Sequence, residues 1–302
     1  MTLLWKKRFI VNNNPCDIDW RQVWIEREKS RYKPDSATYW DGRAESFNKR
    51  SGQSSYKDLF LEYAQLKNGE TIFDMGCGAG TLTVPLAQEG HPVIAADFSG
   101  EMLRYLKENV ELSGSKVVSS DSLENNNLKA GEVCTVQASW TDDWNTAGIP
   151  EKIADVAFAS RSIAVEDLQP TLEKLESRAK RRVCITLPTG ERPRYDEGLW
   201  RYLHRKLVYG GAHIIAMNML FALGRAPELR YIRNEKFDSY ESEEIARNSI
   251  RESLREVGID EEEKLERFFE EHLTTRTKED GTVVWTRDYP VFSSWAFISW
   301  DL

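Results

Sequence analysis

The chain has 302 residues, of which 40% are hydrophobic and 30% charged; this length allows a full core, with roughly 150 to 200 residues in a doubly wound domain. The formal net charge of −8 disfavours a nucleic acid backbone as partner, because clustered Lys and Arg drive phosphate binding. The four cysteines form no C-x-x-C pair, and no run reaches the roughly 18 apolar residues of a membrane span, so we expect a cytoplasmic protein without a metal site, disulfides or membrane segment.

The first 55 residues are predicted to form an N-terminal arm and a lid helix. A helix is expected over residues 18–30. Ser36 is suited to cap a second helix, in which several residues fall on or near one face at i, i+3 and i+4 spacing. These residues are Tyr39, Trp40, Arg43, Ala44 and Phe47. A third helix is expected over residues 56–66, before a turn into the first strand.

A glycine-rich loop follows the first predicted strand. Residues 71–75 form a short apolar run that contains a carboxylate, and Gly76, Gly78 and Gly80 follow at alternate positions before the apolar-periodic residues 82–88. This order predicts strand, tight loop and helix. Glycine tolerates positive φ and lets backbone N–H groups approach a ligand, and the helix adds its positive N-terminal end.

A second strand is predicted over residues 92–96, and it ends in Asp97. Two strands joined by a helix form a right-handed βαβ unit, so both strands end at the same edge and Asp97 lies beside the glycine loop. Asp97 is 17 residues beyond Gly80, close to the roughly 20-residue offset of an acid that binds a ribose. A dinucleotide-binding G-x-G-x-x-G would place its third glycine where Thr81 stands. The pattern predicts a nucleoside ligand and disfavours a nicotinamide cofactor.

The loop Asp74-x-Gly76-x-Gly78-x-Gly80 together with Asp97 resembles the first motif of the class I S-adenosylmethionine-dependent methyltransferases. The resemblance covers residues 36–187. It implies that the loop packs against the amino acid part of S-adenosylmethionine and that the acid after the second strand binds both ribose hydroxyls. The residues implied for these contacts are Asp74, Gly76, Cys77, Gly78, Gly80 and Asp97.

The same resemblance gives the lid helix a role. In many small-molecule methyltransferases a similar helix with W-x-x-R-A-like residues lies over the cofactor, so Tyr39 or Arg43 is implied to meet the methionine carboxylate. The alternative is an amphipathic helix that packs on the sheet, with Arg43 in a surface ion pair.

Two further segments are implied to line the adenine. Ser99 is suited to cap a helix over residues 101–112, and Phe98 or Met102 would touch the ring. After a third strand over residues 133–138, the resembled family has G-D-A and an acid, whereas this chain has Gln137-Ala138-Ser139-Trp140. Ala138, Ser139 and Trp140 are expected near the adenine by position, with Trp140 as a stacking surface. The alternative is that Trp140 and Trp144 fill the core.

The fourth predicted strand, residues 153–159, leads into Ser160 and Arg161. Ligands bind at this carboxyl edge in open α/β sheets. Ser160 is therefore a cofactor candidate, and Arg161 can bind a substrate carboxylate or phosphate or form a structural salt bridge. A helix is predicted over residues 165–179, with the basic residues 180–182 as its solvated end, before a fifth strand at 183–187.

Residues 188–229 depart from the minimal fold and are interpreted as a helical substrate cap. His204 and His213 are the candidate general bases there, provided that either reaches the substrate. In residues 230–302 we expect a strand at 229–232, helices at 242–257 and 260–272, a hairpin turn at Asp280-Gly281 and a closing strand at 291–300.

The predicted fold is thus α/β: a doubly wound, mostly parallel seven-stranded sheet with an antiparallel edge strand, plus an N-terminal helical arm and a cap insertion. The predicted divisions are 1–55, 56–187, 188–229 and 230–302. The predicted function is methyl transfer from S-adenosylmethionine to a small-molecule acceptor, without a metal or a catalytic triad. The alternatives are a non-catalytic regulatory protein that binds S-adenosylmethionine or S-adenosylhomocysteine, and a methyltransferase that acts on RNA or protein.

Overall fold

A computed structural model describes residues 17–29, 36–51, 56–120, 123, 128–190, 194–206, 211–255 and 258–302. Its helices, numbered in chain order, are α1 (Trp20–Glu28), α2 (Ala37–Asp41), α3 (Ala44–Ser51), α4 (Tyr56–Ala64), α5 (Thr83–Gln88), α6 (Gly100–Leu112), α7 (Leu168–Glu176), α8 (Glu197–Tyr202), α9 (Ala212–Ala222), α10 (Glu243–Arg255) and α11 (Glu262–His272). Its strands are β1 (Ile72–Met75), β2 (Val93–Asp97), β3 (Lys116–Val118), β4 (Glu132–Gln137), β5 (Ala154–Ser160), β6 (Ala179–Pro188), β7 (Arg194–Tyr195), β8 (Glu228–Lys236), β9 (Leu273–Thr277), β10 (Val283–Arg287) and β11 (Val291–Asp301). Of the predicted N-terminal arm, which precedes the lid helix capped by Ser36, only residues 17–29 are among the described residues.

The chain divides into two compact units. The first contains Met1–Pro188, Gly211–Ile232 and Trp295–Leu302, and the second contains Thr189–Gly210 and Arg233–Ser294. The predicted cap, residues 188–229, is therefore split: α8 belongs to the second unit and α9 to the first.

The first unit is built on a twisted sheet in the order β3-β4-β2-β1-β5-β6-β11. The six strands from β3 to β6 pair in parallel, whereas β11 pairs antiparallel with β6, with Phe297 opposite Thr186. Strand β8 also pairs with β11. The expected doubly wound sheet with an antiparallel strand is confirmed, and it brings the carboxyl ends of β1, β2, β4, β5 and β6 to one edge.

Both faces of this sheet are buried, as a parallel sheet requires. On one face, Trp24 of α1, Leu172 of α7 and Met219 of α9 join a cluster with Phe73 and Ile185. On the other face, α4, α5 and α6 contribute Phe60, Leu86 and Leu106, which join a cluster with Ile72 and Phe158. Neighbouring strand residues point to opposite faces, so the continuous apolar strands contribute side chains to both of these clusters.

The second unit contains helices α8, α10 and α11, whose apolar faces form a small core around Leu199, Ile250, Leu254, Phe268 and Phe269. Strands β9 and β10 form the expected hairpin, with Asp280 and Gly281 in its turn. The short strand β7 pairs with Phe292 and Ser293.

Two expectations need correction. The sheet has nine strands in the described residues rather than seven, because β3 and β7, of three and two residues, are too short to give a periodic signal. The basic residues 180–182 do not end a helix: α7 stops at Glu176 and these residues open β6. The Arg182 side chain is buried and paired with Asp301 at 2.9 Å, so a charged run forms part of a central strand.

Candidate functional site

The glycine loop joins β1 to α5 at the carboxyl edge of the sheet. Gly76, Gly78 and Gly80 have φ values of +75°, +55° and +94°, in the left-handed region that glycine favours. A Cβ on Gly76 would lie 2.2 Å from Ser162 Cβ, and one on Gly80 would lie 2.5 Å from Leu106 Cδ1. The loop therefore needs glycine both for its backbone conformation and for close packing.

Asp97, the last residue of β2, is fixed beside this loop. Its Oδ2 accepts a hydrogen bond from the Gly78 N–H and its Oδ1 accepts one from the Ser99 N–H, both at 2.9 Å. The side chain is 5% exposed, and burial raises the pKa of its carboxyl above the ordinary value. Each carboxylate oxygen keeps a further lone pair for another donor, so the group is oriented and still able to bind hydroxyls.

Asp74 lies in β1, where the strand enters the loop. Its Oδ2 accepts a hydrogen bond from Thr83 Oγ1 at 2.8 Å, and burial raises the pKa of its carboxyl to about 6. Arg161 acts in the opposite direction on this pKa. Burial also raises the pKa of the Cys77 thiol well above its usual range, so this cysteine is protonated at neutral pH and serves as an apolar loop residue.

The lid region consists of α2 and α3. Ser36 caps α2, as expected, and accepts a hydrogen bond from the Tyr39 N–H. Asp41 at the end of α2 accepts hydrogen bonds from Ser99 Oγ at 2.6 Å and from the Glu101 N–H at 3.3 Å. Phe47 of α3 lies 3.2 Å from the position that a Cβ on Gly78 would take. These contacts hold both helices over the glycine loop.

The predicted lid residues differ in their surroundings. Tyr39 is 47% exposed, and the Arg43 guanidinium lies 4.5 Å from its ring centroid. Met102 is buried with Ala44 and Ala79 beneath the lid. Tyr39 and Arg43 are therefore accessible, whereas Met102 is part of the packing.

The loop after β4 contains the predicted adenine contacts. The Trp140 Nε1–H donates to Ser162 O at 2.9 Å, and the Trp144 Nε1–H donates to Ser139 O at 2.7 Å. Trp144 is fully buried, while Trp140 and Ser139 are partly exposed. Phe98 is also partly exposed. Trp144 thus belongs to the core, Trp140 packs against it with the ring centroids 5.3 Å apart, and Ser139 and Phe98 remain partly exposed.

Ser160 and Arg161 lie at the end of β5, as predicted. Ser160 Oγ is hydrogen-bonded to Tyr56 Oη at 2.7 Å, and Arg161 has the left-handed φ of +58°.

The two candidate histidines lie in different units. His204 is exposed in the second unit, whereas His213 is 7% exposed at the start of α9 in the first. Burial, together with the charge of Arg27, lowers the pKa of His213. Its Nδ1 is buried and has no hydrogen-bond partner among the described residues. His213 is therefore a neutral imidazole at neutral pH, within the unit that holds the glycine loop.

The sequence did not predict the contributions of Asp41, Tyr56 and Ser162 to the site. Each comes from a segment distant in sequence from the residue that it contacts, so no local pattern marks it. Thr83 was also missed, although a hydroxyl at the start of the helix that follows a glycine loop is a usable signal for a bond to Asp74. Within the described ranges, no cluster of His, Cys, Asp and Glu could hold a metal ion, and no helix is long and apolar enough to span a membrane.

The comparisons with known proteins agree with this geometry. Residues 72–147 match a methyltransferase domain family. An uncharacterized protein of Haemophilus influenzae is 32% identical over 235 residues, which cover 76% of this chain and 80% of that protein. A probable ribosomal RNA small subunit methyltransferase A of Methanosphaera stadtmanae is 31% identical over 70 residues, which cover 22% of this chain and 26% of that protein. The solved structure of the YcgJ protein of Bacillus subtilis has a TM-score of 0.48 at 13% identity and covers 82% of this chain and 97% of its own.

The fold, the glycine loop and the match of residues 72–147 identify a class I S-adenosylmethionine-dependent methyltransferase domain in this chain. The similarity to the Haemophilus influenzae protein extends over most of both chains. The residues present fit the cofactor of this class, because the Asp97 carboxylate is oriented beside the glycine loop and its oxygens keep lone pairs for the ribose hydroxyls.

Proposed function

We propose that this methyltransferase transfers a methyl group from S-adenosylmethionine to a small-molecule acceptor. The observation that carries the proposal is the oriented Asp97 carboxylate beside the glycine loop, beneath the lid helices. The proposed cofactor-binding residues are those predicted from the sequence: Tyr39, Arg43, Asp74, Gly76, Cys77, Gly78, Gly80, Asp97, Phe98, Ser99, Met102, Ser139, Trp140 and Ser160.

The proposed roles follow from the surroundings of each residue. Asp97 accepts hydrogen bonds from the two ribose hydroxyls, while Ser99 and Met102 act indirectly, because both are buried and shape the wall beneath the lid. S-adenosylmethionine supplies a methyl group activated by its sulfonium. The chain therefore has to align the acceptor in line with the methyl group and exclude water. If methylation releases a proton from the acceptor, His213 is the candidate base in the first unit that would take it up.

The charge distribution supports a small acceptor. The second unit contains 15 basic and 20 acidic residues, a formal charge of −5, and the whole chain carries −8. A nucleic acid acceptor would meet net repulsion from both. The similarity to a ribosomal RNA methyltransferase covers only 22% of this chain, a stretch too short to carry an RNA acceptor with it.

The test is calorimetry followed by an acceptor screen. We expect micromolar binding of S-adenosylmethionine, binding of S-adenosylhomocysteine at least as tight, and no comparable binding of NADH or ATP. Release of S-adenosylhomocysteine is then measured with pooled small molecules, total RNA and total protein as acceptors. Turnover with RNA or protein alone would contradict the small-molecule assignment. Tight binding without turnover in every pool would favour the regulatory alternative.

A further inference from the structure

Arg161 has an uncommon backbone conformation at the carboxyl edge of the sheet. Its φ is +58°, in the left-handed region that non-glycine residues seldom adopt unless the surroundings enforce it. Here they do so. The Arg161 N–H donates to Thr186 Oγ1 at 2.9 Å, and Ser162 Oγ donates to Met75 O at 2.6 Å. These two hydrogen bonds anchor Arg161 and Ser162.

The side chain of Arg161 is oriented as well. Its guanidinium lies 4.2 Å from the ring centroid of Tyr56, a cation–π geometry. Tyr56 is itself 2% exposed, and its hydroxyl is hydrogen-bonded to Ser160 Oγ at 2.7 Å and to Thr186 Oγ1 at 2.8 Å. Tyr56 is therefore buried and held by two hydrogen bonds, and its ring supports the solvent-accessible guanidinium of Arg161.

This guanidinium makes no ion pair and no side-chain hydrogen bond with any residue in the described ranges. Several other arginines of the first unit do form ion pairs: Arg21 with Asp167, Arg181 with Glu70, and Arg225 with Glu176. A fixed fork of five N–H donors that the protein leaves available is suited to a carboxylate or phosphate.

The neighbours of Arg161 indicate which anion it meets. Ser162, the next residue, lies against Gly76 of the glycine loop, and the positive charge of Arg161 acts on the Asp74 carboxyl. An anionic group and a cationic group thus flank the start of the loop. A zwitterionic amino acid complements this pair, with its ammonium towards Asp74 and its carboxylate towards Arg161.

We propose that Arg161 binds the amino acid carboxylate of S-adenosylmethionine, with Tyr56 as its positioning residue. This inference rests on the proposed function, and it assigns to Arg161 the contact that the family resemblance gives to Tyr39 or Arg43. The same fork would suit an anionic group on the acceptor, so the experiment separates these two sources.

The test compares two ligands that differ only in the carboxylate: S-adenosylhomocysteine and its decarboxylated analogue, S-adenosyl-3-thiopropylamine. Their affinities are measured by calorimetry for the wild-type protein, for Arg161→Met, for Arg43→Met as the rival candidate, and for the matched control Arg230→Met, whose guanidinium also lies over a tyrosine ring. We expect Arg161→Met to weaken S-adenosylhomocysteine binding by about 10- to 150-fold, the range for a hydrogen bond to a charged group, and to leave the analogue's affinity unchanged. Arg161→Lys should restore part of the loss, and Arg43→Met should keep the wild-type preference for S-adenosylhomocysteine over the analogue.

Three results would overturn the assignment. One is equal binding of S-adenosylhomocysteine by Arg161→Met and wild type. Another is a carboxylate effect lost in Arg43→Met instead. The third is Arg161-dependent binding of inorganic phosphate to the protein saturated with S-adenosylhomocysteine, which would place the acceptor's anion at Arg161. Unchanged binding of the analogue shows that the variant is folded, and a wild-type protein that binds neither ligand would instead refute the proposed function.

Discussion

Asp74 combines deep burial with a position at the proposed amino acid end of the cofactor. Its pKa is raised to about 6 by burial, above the ordinary value of about 3.9 of an unfolded chain. The folded protein therefore binds this proton more tightly than the unfolded chain does. The resulting contribution to stability is present below about pH 4 and is lost as the pH rises through about 6.

Replacing Asp74 with Asn should remove this pH dependence. At pH 7.5 we expect Asp74→Asn to be more stable than wild type by up to about 3 kcal/mol, because a shift of about two pKa units corresponds to that free energy, and at pH 4 the two should be equal. Urea unfolding at both values measures the difference. The same variant should bind S-adenosylhomocysteine more weakly, because its amide cannot pair with the ammonium. A stability gap that does not change with pH would contradict the burial argument.

Gly78 tests the glycine loop directly. Its φ of +55° and the 3.2 Å distance from Phe47 to the position that a Cβ would take make Gly78→Val incompatible with both the loop and the lid. We expect the variant to lose measurable S-adenosylmethionine binding while the rest of the first unit stays folded. Gly90→Val is the matched control, because Gly90 also has positive φ but has open space around it. Equal losses of affinity in both variants would show that backbone strain alone explains the effect.

The residues of the site divide by how far their partners lie along the chain. Asp74, the three glycines and Asp97 were predicted because they lie within one βαβ unit, where strand ends and loop spacing determine their positions. Asp41 was not, since its bond to Ser99 joins residues 58 apart. Tyr56 likewise meets Thr186, 130 residues away. Only the packing of helices on the finished sheet brings such pairs together.

At the level of elements, the attachment of α2 to α6 depends on Asp41. Its carboxylate accepts hydrogen bonds from the Ser99 hydroxyl and from the Glu101 N–H at the start of α6. In Asp41→Ala, we expect S-adenosylhomocysteine to dissociate about 3- to 10-fold faster, the effect of losing about one net hydrogen bond, and amide exchange in residues 36–49 to accelerate. Asp41→Asn keeps an acceptor oxygen and should lie close to wild type. An unchanged dissociation rate in the alanine variant would show that this contact does not hold the lid.

Some element boundaries are set by tertiary contacts, and local sequence patterns do not predict them. Residues 180–182 resemble the charged end of a helix, yet they form the first part of β6, because Arg181 and Arg182 find acidic partners in Glu70 and Asp301. Ion pairing across the sheet outweighs the local preference for solvent. The apolar strand β5 was predicted to within one residue at each end, because its composition indicates that it is buried.

At the scale of the molecule, the stability of the second unit depends on one buried ion-pair network. Arg287 is 5% exposed and pairs with Asp196, at 2.7 Å, and with Asp238. Arg287→Met would leave two largely buried carboxylates uncompensated, at a cost of about 3–5 kcal/mol. We expect calorimetric melting of this unit at a lower temperature, with S-adenosylhomocysteine affinity within about twofold of wild type, because every proposed cofactor residue belongs to the first unit.

The control for this prediction is Arg267→Met, which removes an exposed i, i+4 pair with Glu263 and should change stability by less than about 0.5 kcal/mol. Equal effects of the two substitutions would contradict a specific role for the buried pair. A large loss of cofactor affinity in Arg287→Met would show that the two units are energetically coupled.

The antiparallel strand β11 has a consequence for biosynthesis. It pairs with β6 over residues 182–188, yet more than 100 residues of chain, including nearly the whole second unit, are translated between the two strands. At the ribosome, the parallel strands β1 to β6 can assemble early, but this edge of β6 stays unpaired until residues 291–301 emerge. An open edge is a template for association with other chains. The sheet is therefore exposed to such association during the interval between the synthesis of β6 and the pairing of β11 with it.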